Sequence, residues 1–189
     1  MKIVFFGDSY TQGTPYPTDS KDIWPNIVAK HLDADVENKY VAGGSNHAIL
    51  RNICRYFQKS SCDIAIVMWS HWSRTEVHVK EQVYQLQPNG HSFEDKFIND
   101  YYKNRNLEID WEDFVDKIWL CDKLNNHHTR IVQGCCFELA SDFNKPANWF
   151  PYNMHELALK KTPCGHPHIS QHKDIARAMI QHIERCDLL

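Results

Sequence analysis

The sequence predicts an α/β fold, a three-layer α/β/α sandwich around a parallel sheet of about five strands. Strand-like and helix-like segments alternate along the chain, the pattern of a parallel sheet covered on both faces. The first strand-like segment, KIVFF at Lys2 to Phe6, is a short β-branched and aromatic run suited to a buried strand. A serine just after that run and a histidine just before the last helix are far apart in sequence. Both fall at the same edge of such a sheet, where open α/β sheets place their ligands.

The elements follow in order. Gly7 ends the first strand, and the turn-rich TQGTPYP follows. Asp22 to Leu32 reads as a helix with Trp24, Ile27, Val28 and His31 on one side. Val36 to Val41 is the second strand. In Asn46 to Lys59, Ile49, Leu50, Ile53, Cys54 and Phe57 recur at helical spacing, which puts Cys54 on the apolar face. Ile64 to Trp69 is the third strand and Arg130 to Cys135 the fourth, with Cys135 and Cys136 as small buried residues at its end. Between these two strands lies an insertion at about 73–126, with a turn at Pro88-Asn89-Gly90 and a helix from about Asp110 to Leu124. Ile175, Ala176, Met179, Ile180 and Ile183 predict a last helix over Ser170 to Arg185, with Ser170 as its N-cap. Neither an internal repeat nor a low-complexity tract interrupts this order. The expected organisation is one domain over 1–189 that carries the insertion.

Composition limits the function classes. At 189 residues and 42% hydrophobic, the chain is long enough for a substantial core. A net charge of -3 without a long basic run argues against nucleic acid as a partner. No stretch approaches the roughly 20 apolar residues of a membrane span. A signal-peptide pattern is missing too, and the seven cysteines are an odd number. Together these point to reduced thiols and a cytoplasmic location.

Twelve histidines raise the question of a metal. Cys164, His166, His168 and His172 form a C-x-H-x-H-x3-H run, and His127 and His128 are adjacent. Zinc accepts both ligand types, but this spacing matches no common structural zinc motif and no C-x-x-C knuckle is present. The expectation is no metal and no cofactor.

The residues with the strongest chemical signal are Gly7-Asp8-Ser9 and Cys164-Gly165-His166-Pro167-His168. A serine at a strand's carboxyl end can serve as a nucleophile, and its own backbone N–H can help hold an oxyanion. These residues resemble the blocks of the SGNH (GDSL-type) hydrolases. Phe5-Phe6-Gly7-Asp8-Ser9-Tyr10 is similar to the first block, with Ser9 in the nucleophile position. Val41-Ala42-Gly43-Gly44-Ser45-Asn46 resembles the second, whose glycine donates an oxyanion-hole N–H; Gly43 or Gly44 fills that place, and spacing favours Gly43. His166-Pro167 resembles the final block, with Ala176 at the small helix position.

The resemblance implies a flavodoxin-like strand order and ester hydrolysis through an acyl-enzyme. Ser9 would attack, His166 would act as base, and the substrate would be a small-molecule or glycan ester carrying an O-acetyl or short acyl group. Asn46, Ser70, His71 and Arg74 join the glycines as oxyanion or substrate-binding candidates. The segment Trp69-Ser70-His71-Trp72-Ser73-Arg74-Thr75-Glu76 departs from the family's third block, because His71 falls where its asparagine would be. It resembles the variant of phage-type members, which implies association with a virion. His71 or Ser70 is then the third donor. Arg74 binds a substrate anion, or pairs with Glu76 or Asp8 to hold the loops.

The other departure concerns the acid that orients the histidine in such sites. Its position falls on Pro163 or Cys164, and neither is a carboxylate. A Ser9–His166 dyad held by a backbone carbonyl or by Glu156 remains, as do two other readings. One is a degenerate SGNH-fold binding module; the other is a zinc protein using Cys164, His166, His168 and His172. Aromatic residues in the insertion (Tyr84, His91, Phe93, Phe97, Tyr101 and Tyr102) are expected mainly to pack it onto the domain. Trp149-Phe150-Pro151-Tyr152 would form the opposite wall of the site.

Overall fold

Strand β1 (Lys2–Gly7) lies inside a parallel sheet, between β2 (Asp35–Tyr40) and β3 (Ile64–Trp69). β6 (Arg130–Cys135) pairs with β3 on the far side, which gives the order β2-β1-β3-β6. This architecture comes from a computed structural model that describes residues 1–79, 81–86, 100–126, 128–139 and 142–188. The expected turn at Pro88-Asn89-Gly90 and His91, Phe93, Phe97 and His127 lie outside the described residues.

Beyond Lys2, the central strands β1 and β3 are buried apolar runs because both faces are covered. On one face, Ile3, Phe5, Ile64, Ile66 and Met68 pack on Trp24 and Val28 of α2 (Trp24–His31) and on Ile175, Ala176, Met179 and Ile183 of α6 (Ile169–Arg185). On the other, Val4, Phe6, Ala65, Val67 and Trp69 meet Ile49 and Ile53 of α3 (Asn46–Phe57) and Phe114, Ile118 and Cys121 of α4 (Leu107–Asp122). The strand period of two decides which residue faces which layer. Each large side chain buried this way contributes about 1.5–3 kcal/mol. β2, at the sheet edge, is polar, and Lys2 and Lys39 both pair with its Glu37.

The sandwich and its flavodoxin-like order agree with expectation, but the described residues give the central sheet four strands instead of about five. Beyond β6, where a fifth would lie, the chain makes a single parallel bridge between Gln133 and Trp149. The Phe150 N–H reaches the Gln133 carbonyl at 2.7 Å, while the Trp149 N–H turns back to the Pro146 carbonyl at 3.1 Å. A turn at that point ends the strand after one pairing.

Three other expectations change. Cys54 is exposed, because the buried face of α3 runs through Ile49, Ile53 and Tyr56 and leaves position 54 turned about 100° away. His31 is likewise exposed and meets Glu184 at 3.2 Å. His168, not Ser170, caps α6, since its ring accepts the Ser170 N–H at 3.3 Å.

A hairpin that the sequence reading did not anticipate joins β4 (Thr75–Val79) to β5 (Gln82–Leu86). It is anchored to α3 by Arg51, which grips both oxygens of Glu76, one of them at 2.8 Å. This contact holds the Glu76 carboxyl at about 2, below the usual carboxylate range. Gln85 then links Glu76, at 3.0 Å, to the Ser45 N–H, at 2.7 Å, at the start of α3.

Gly7 is the tighter of the two glycines in the sheet. A Cβ there would lie 2.0 Å from Thr11 Oγ1 and 2.9 Å from the Met68 carbonyl. Gly7→Ala is therefore expected to lower stability by about 1–3 kcal/mol, read from the urea midpoint at unchanged slope. A midpoint equal to wild type would show that the turn after β1 has room to spare.

Candidate active site

The turn after β1 sets the first part of the site. Asp8 is the N-cap of α1 (Ser9–Gln12), with its carboxylate accepting the Tyr10 N–H at 2.9 Å. That cap fixes Ser9 at the first helical position, directly beyond the sheet's carboxyl edge. Ser9 Oγ meets His166 Nε2 at 2.8 Å, across 157 positions of sequence.

His166 arrives on a narrow loop. Lys161 and Pro167 form an antiparallel bridge, and the Thr162 N–H donates to the His166 carbonyl at 2.8 Å. Gly165 turns the loop at φ +82°, a conformation that glycine adopts without steric cost. Tyr10 Oη donates to the Gly165 carbonyl at 3.0 Å, and its ring lies 5.2 Å from that of His166. Burial raises the Tyr10 phenol to about 12, so it remains a donor. On the other side of the imidazole, Nδ1 is 3.3 Å from Cys164 Sγ.

The loops after β2 and β3 complete the edge. Gly43 has φ +66°, and the Gly44 N–H is engaged with the Val41 carbonyl at 2.8 Å. Of the two glycine candidates, Gly44 therefore has its N–H occupied. Asn46 is buried and clamps the next loop: Oδ1 accepts the Ser70 N–H at 2.9 Å, while Nδ2 donates to the Ser70 carbonyl at 3.0 Å. Ser70 is fully buried, and its hydroxyl donates to Asp8 at 3.0 Å. Both Ser70 donors are thus committed within the protein. As oxyanion candidates, Ser70 and Asn46 give way to a supporting role.

His71 fits the donor role better. Its Nδ1 accepts the Ser73 N–H at 3.2 Å, which leaves the proton of the neutral ring on Nε2. The ring stacks on Trp72 and tilts against Phe137, with centroids at 5.5 and 4.6 Å. Desolvation, with the nearby Arg74, holds its pKa below the ordinary histidine value.

Arg74 Nη1 lies 2.9 Å from Asp8 Oδ2 and 2.9 Å from Ser70 Oγ. Of the alternatives the sequence left open, it pairs with Asp8; Glu76 is taken by Arg51. It also borders a cavity of about 280 Å³, together with Asp8, Tyr10, His71, Ser73, Cys136, Phe137 and His155. His155, which the sequence reading missed, stacks on Tyr10 at 5.2 Å. A second hollow of about 550 Å³ shares Phe137 and is walled by Trp149, Pro151 and Tyr152, with Glu138 and Lys145 as charged neighbours.

Of the proposed zinc set, Cys164 and His166 meet, but His168 and His172 are engaged elsewhere. His168 is spent on its cap, and His172 Nδ1 accepts the Trp24 N–H at 3.3 Å inside the core. Burial lowers His172 to about 4. Among the described residues no group of three or more metal-ligating side chains occurs. Glu156 closes a capping box with Asn153 at the start of α5 (Met154–Leu157), which occupies the carboxylate considered as a partner for His166. Tyr102 and Arg105 both donate to the Ser73 carbonyl, at 3.1 and 2.6 Å, and so tie the segment after β5 to the site loop.

A protein-family model described as a family of unknown function, DUF6071, matches residues 15–129. The chain belongs to that family. The match includes Gly43 to Arg74 but neither Ser9 nor His166. No curated protein matches the chain.

Solved structures extend the likeness to both ends. A member of the lipolytic G-D-S-L family from Veillonella parvula is 15% identical, with a TM-score of 0.60, over 98% of this chain and 99% of that one. The psychrotrophic esterase EstA from a Pseudoalteromonas species is 10% identical, with a TM-score of 0.60, over 97% of each chain. A family two carbohydrate esterase from Clostridium thermocellum is 15% identical, with a TM-score of 0.50, over all of this chain and 65% of that one. The chain has the fold of the SGNH hydrolases. Among the described residues no helix is long and apolar enough to cross a membrane.

Asp8 and Arg74 give a direct test of how the site is held. The Asp8 carboxylate is 1% exposed and would lose its charged partner in Arg74→Ala. That variant is expected to be about 3 kcal/mol less stable by chemical denaturation, as when one member of a buried ion pair is removed. Asp8→Asn together with Arg74→Ala should cost less than the sum of the two single changes. Additive losses would show that the two residues act independently.

Proposed function

We propose that the chain is a serine hydrolase that cleaves a carboxylic ester through an acyl-enzyme on Ser9. The observation that carries this reading is the 2.8 Å contact between Ser9 Oγ and His166 Nε2. Nε2 faces the hydroxyl and Nδ1 faces Cys164, so the neutral ring that can accept the serine proton has its own hydrogen on Nδ1. Burial holds the His166 pKa below the ordinary histidine value, against the opposing pull of Asp8. The ring is then unprotonated near neutral pH and available as a base.

Attack by Ser9 forms the Oγ–carbon bond and moves the hydroxyl proton to Nε2. The oxyanion is held by the backbone N–H groups of Ser9 and Gly43 and by His71 Nε2–H. His166 returns its proton to the departing alkoxide, and water releases the acid by the same steps in reverse roles. A cavity of about 280 Å³, lined by Asp8 and Tyr10 on either side of Ser9 in sequence and by His71, has room for a short acyl group. The neighbouring hollow, with Trp149 and Tyr152 beside Glu138 and Lys145, suits a sugar ring as the alcohol portion. Support for that substrate class comes from the C. thermocellum carbohydrate esterase, whose structure was solved with cellohexaose.

Labelling with a fluorophosphonate probe, followed by intact mass, tests the nucleophile; the related-fold esterase EstA has been solved inhibited by monoethylphosphonate. One adduct is expected on wild type and none on Ser9→Ala. Hydrolysis of short-chain p-nitrophenyl esters should fall at least ~10³-fold in Ser9→Ala and in His166→Ala. The rate should rise with pH through a midpoint below 6.5, because only the neutral ring accepts the proton. An unlabelled, folded wild type would instead support a binding module that uses the same pocket.

A further inference from the structure

Among the described residues no carboxylate bonds the His166 imidazole, the contact that orients the ring in serine hydrolases with a full triad. Asp8 is spent on Arg74, Ser70 and the Tyr10 N–H, and Glu156 is spent on its capping box. What faces this side of the ring is Cys164, through its Sγ and through a hydrogen bond from the imidazole to its backbone.

We propose that Cys164 stands in for the missing acid: its Sγ, 3.3 Å from His166 Nδ1, accepts the Nδ1–H and stabilises the imidazolium that forms when Ser9 is deprotonated. This rests on the reading of Ser9 as nucleophile and names the group that positions its base. The Lys161–Pro167 loop is built for the contact. Cys164 and His166 are two residues apart on a bridged loop, and Gly165 turns the backbone between them so that both side chains meet.

The sulfur has further partners that favour its anion. Thr162 Oγ1 lies 3.1 Å from Sγ and also 3.1 Å from the His166 carbonyl. A hydroxyl has one proton to donate. With a neutral thiol it can bond the carbonyl and accept S–H; with a thiolate it rotates to donate to sulfur. The sulfur can accept Nδ1–H in either state, more strongly as the anion. The Thr162 hydroxyl, with the His166 and Cys164 backbone N–H groups, draws the thiol below its ordinary value, an exposed position notwithstanding. Other groups around His166 are Asp8 and Arg74 at the strand ends, Tyr10 on α1 and His155 on α5, with Lys161 on the same loop.

Cys164 is thus a positioning residue. No bond to sulfur forms or breaks, and no oxidant is needed. In each cycle the proton leaves Ser9 Oγ for His166 Nε2 and passes to the leaving group, while Nδ1–H stays hydrogen-bonded to Sγ.

The test is the pH dependence of fluorophosphonate reaction with Ser9 in the full chain. In that reaction the Oγ–phosphorus bond forms, fluoride leaves and the proton goes to Nε2. Between about pH 5 and 10, wild type should show two rises, the first from His166 and the second from ionisation of Cys164 below the ordinary thiol value. Cys164→Ala and Cys164→Ser should lose the second rise and react about tenfold more slowly at the alkaline plateau. That loss falls well short of the ~10⁴-fold penalty for mispairing the histidine of a full triad. Cys164→Asp should show one rise and a plateau at or above that of wild type.

A second rise that persists in Cys164→Ala, or a rate equal to wild type throughout, overturns the proposal. An NMR titration of the His166 ring adds a readout that needs no turnover: its midpoint should fall when Cys164 becomes alanine, and an unmoved midpoint counts against the contact. Wild type that is never labelled while the His166 midpoint does shift would refute the hydrolase reading alone.

Discussion

One buried carboxylate holds the site together. Asp8 accepts the Tyr10 N–H, the Ser70 hydroxyl and the Arg74 guanidinium, with the Cys136 thiol 3.6 Å away. Those partners come from the turn after β1, the loop after β3 and the end of β6. A charge 1% exposed is tolerable only because several donors converge on it and one of them is cationic. The same convergence makes three chain segments a single rigid edge. Ser9 follows Asp8 immediately, so its placement depends directly on this network.

Around that node, side chains first read as substrate ligands form a scaffold. Asn46 and Ser70 spend their hydrogen bonds on each other's segments, and Arg74 spends one on Asp8. The β4–β5 hairpin adds a second brace through Arg51, Glu76 and Gln85 to the start of α3, close to Gly43. Preorganisation of this kind has a catalytic use, since donors that are already aimed need no rearrangement when charge develops. Gly43 and His71 are the groups proposed to use that scaffold as oxyanion donors.

The proposed base is held by softer means than the proposed nucleophile. His166 rides on a seven-residue bridged loop, packed against Tyr10, and a sulfur occupies the far side of its ring. A thiol is a weaker and more conditional acceptor than a carboxylate, because its charge depends on pH. A relay built on it would be tuned by the same variable that sets the protonation of the histidine.

Much of the fold was legible because β1 and β3 are apolar runs and α3 and α6 carry strong helical periodicity. Those patterns reflect burial itself, which any partner surface would demand. Ser9 and His166 were legible for a related reason: they flank elements whose order alone brings them to one edge. The failures were local. The fifth strand expected from the fold pattern is reduced to a single bridge at Trp149, and Cys54 lies one position past the buried face of α3. The β4–β5 hairpin is polar enough to read as loop.

By itself, then, the sequence determined the layer order, the parallel sheet and the chemical types available at its edge, because hydrophobic periodicity and residue identity are properties of the chain alone. Only the tertiary structure decided which donors are spent and which remain. Asp8 against Arg74, Ser70 against Asn46, His168 as a cap and Cys164 beneath His166 are matters of distance between segments. Hydrogen bonds act over about 3 Å, and no spacing in sequence encodes that.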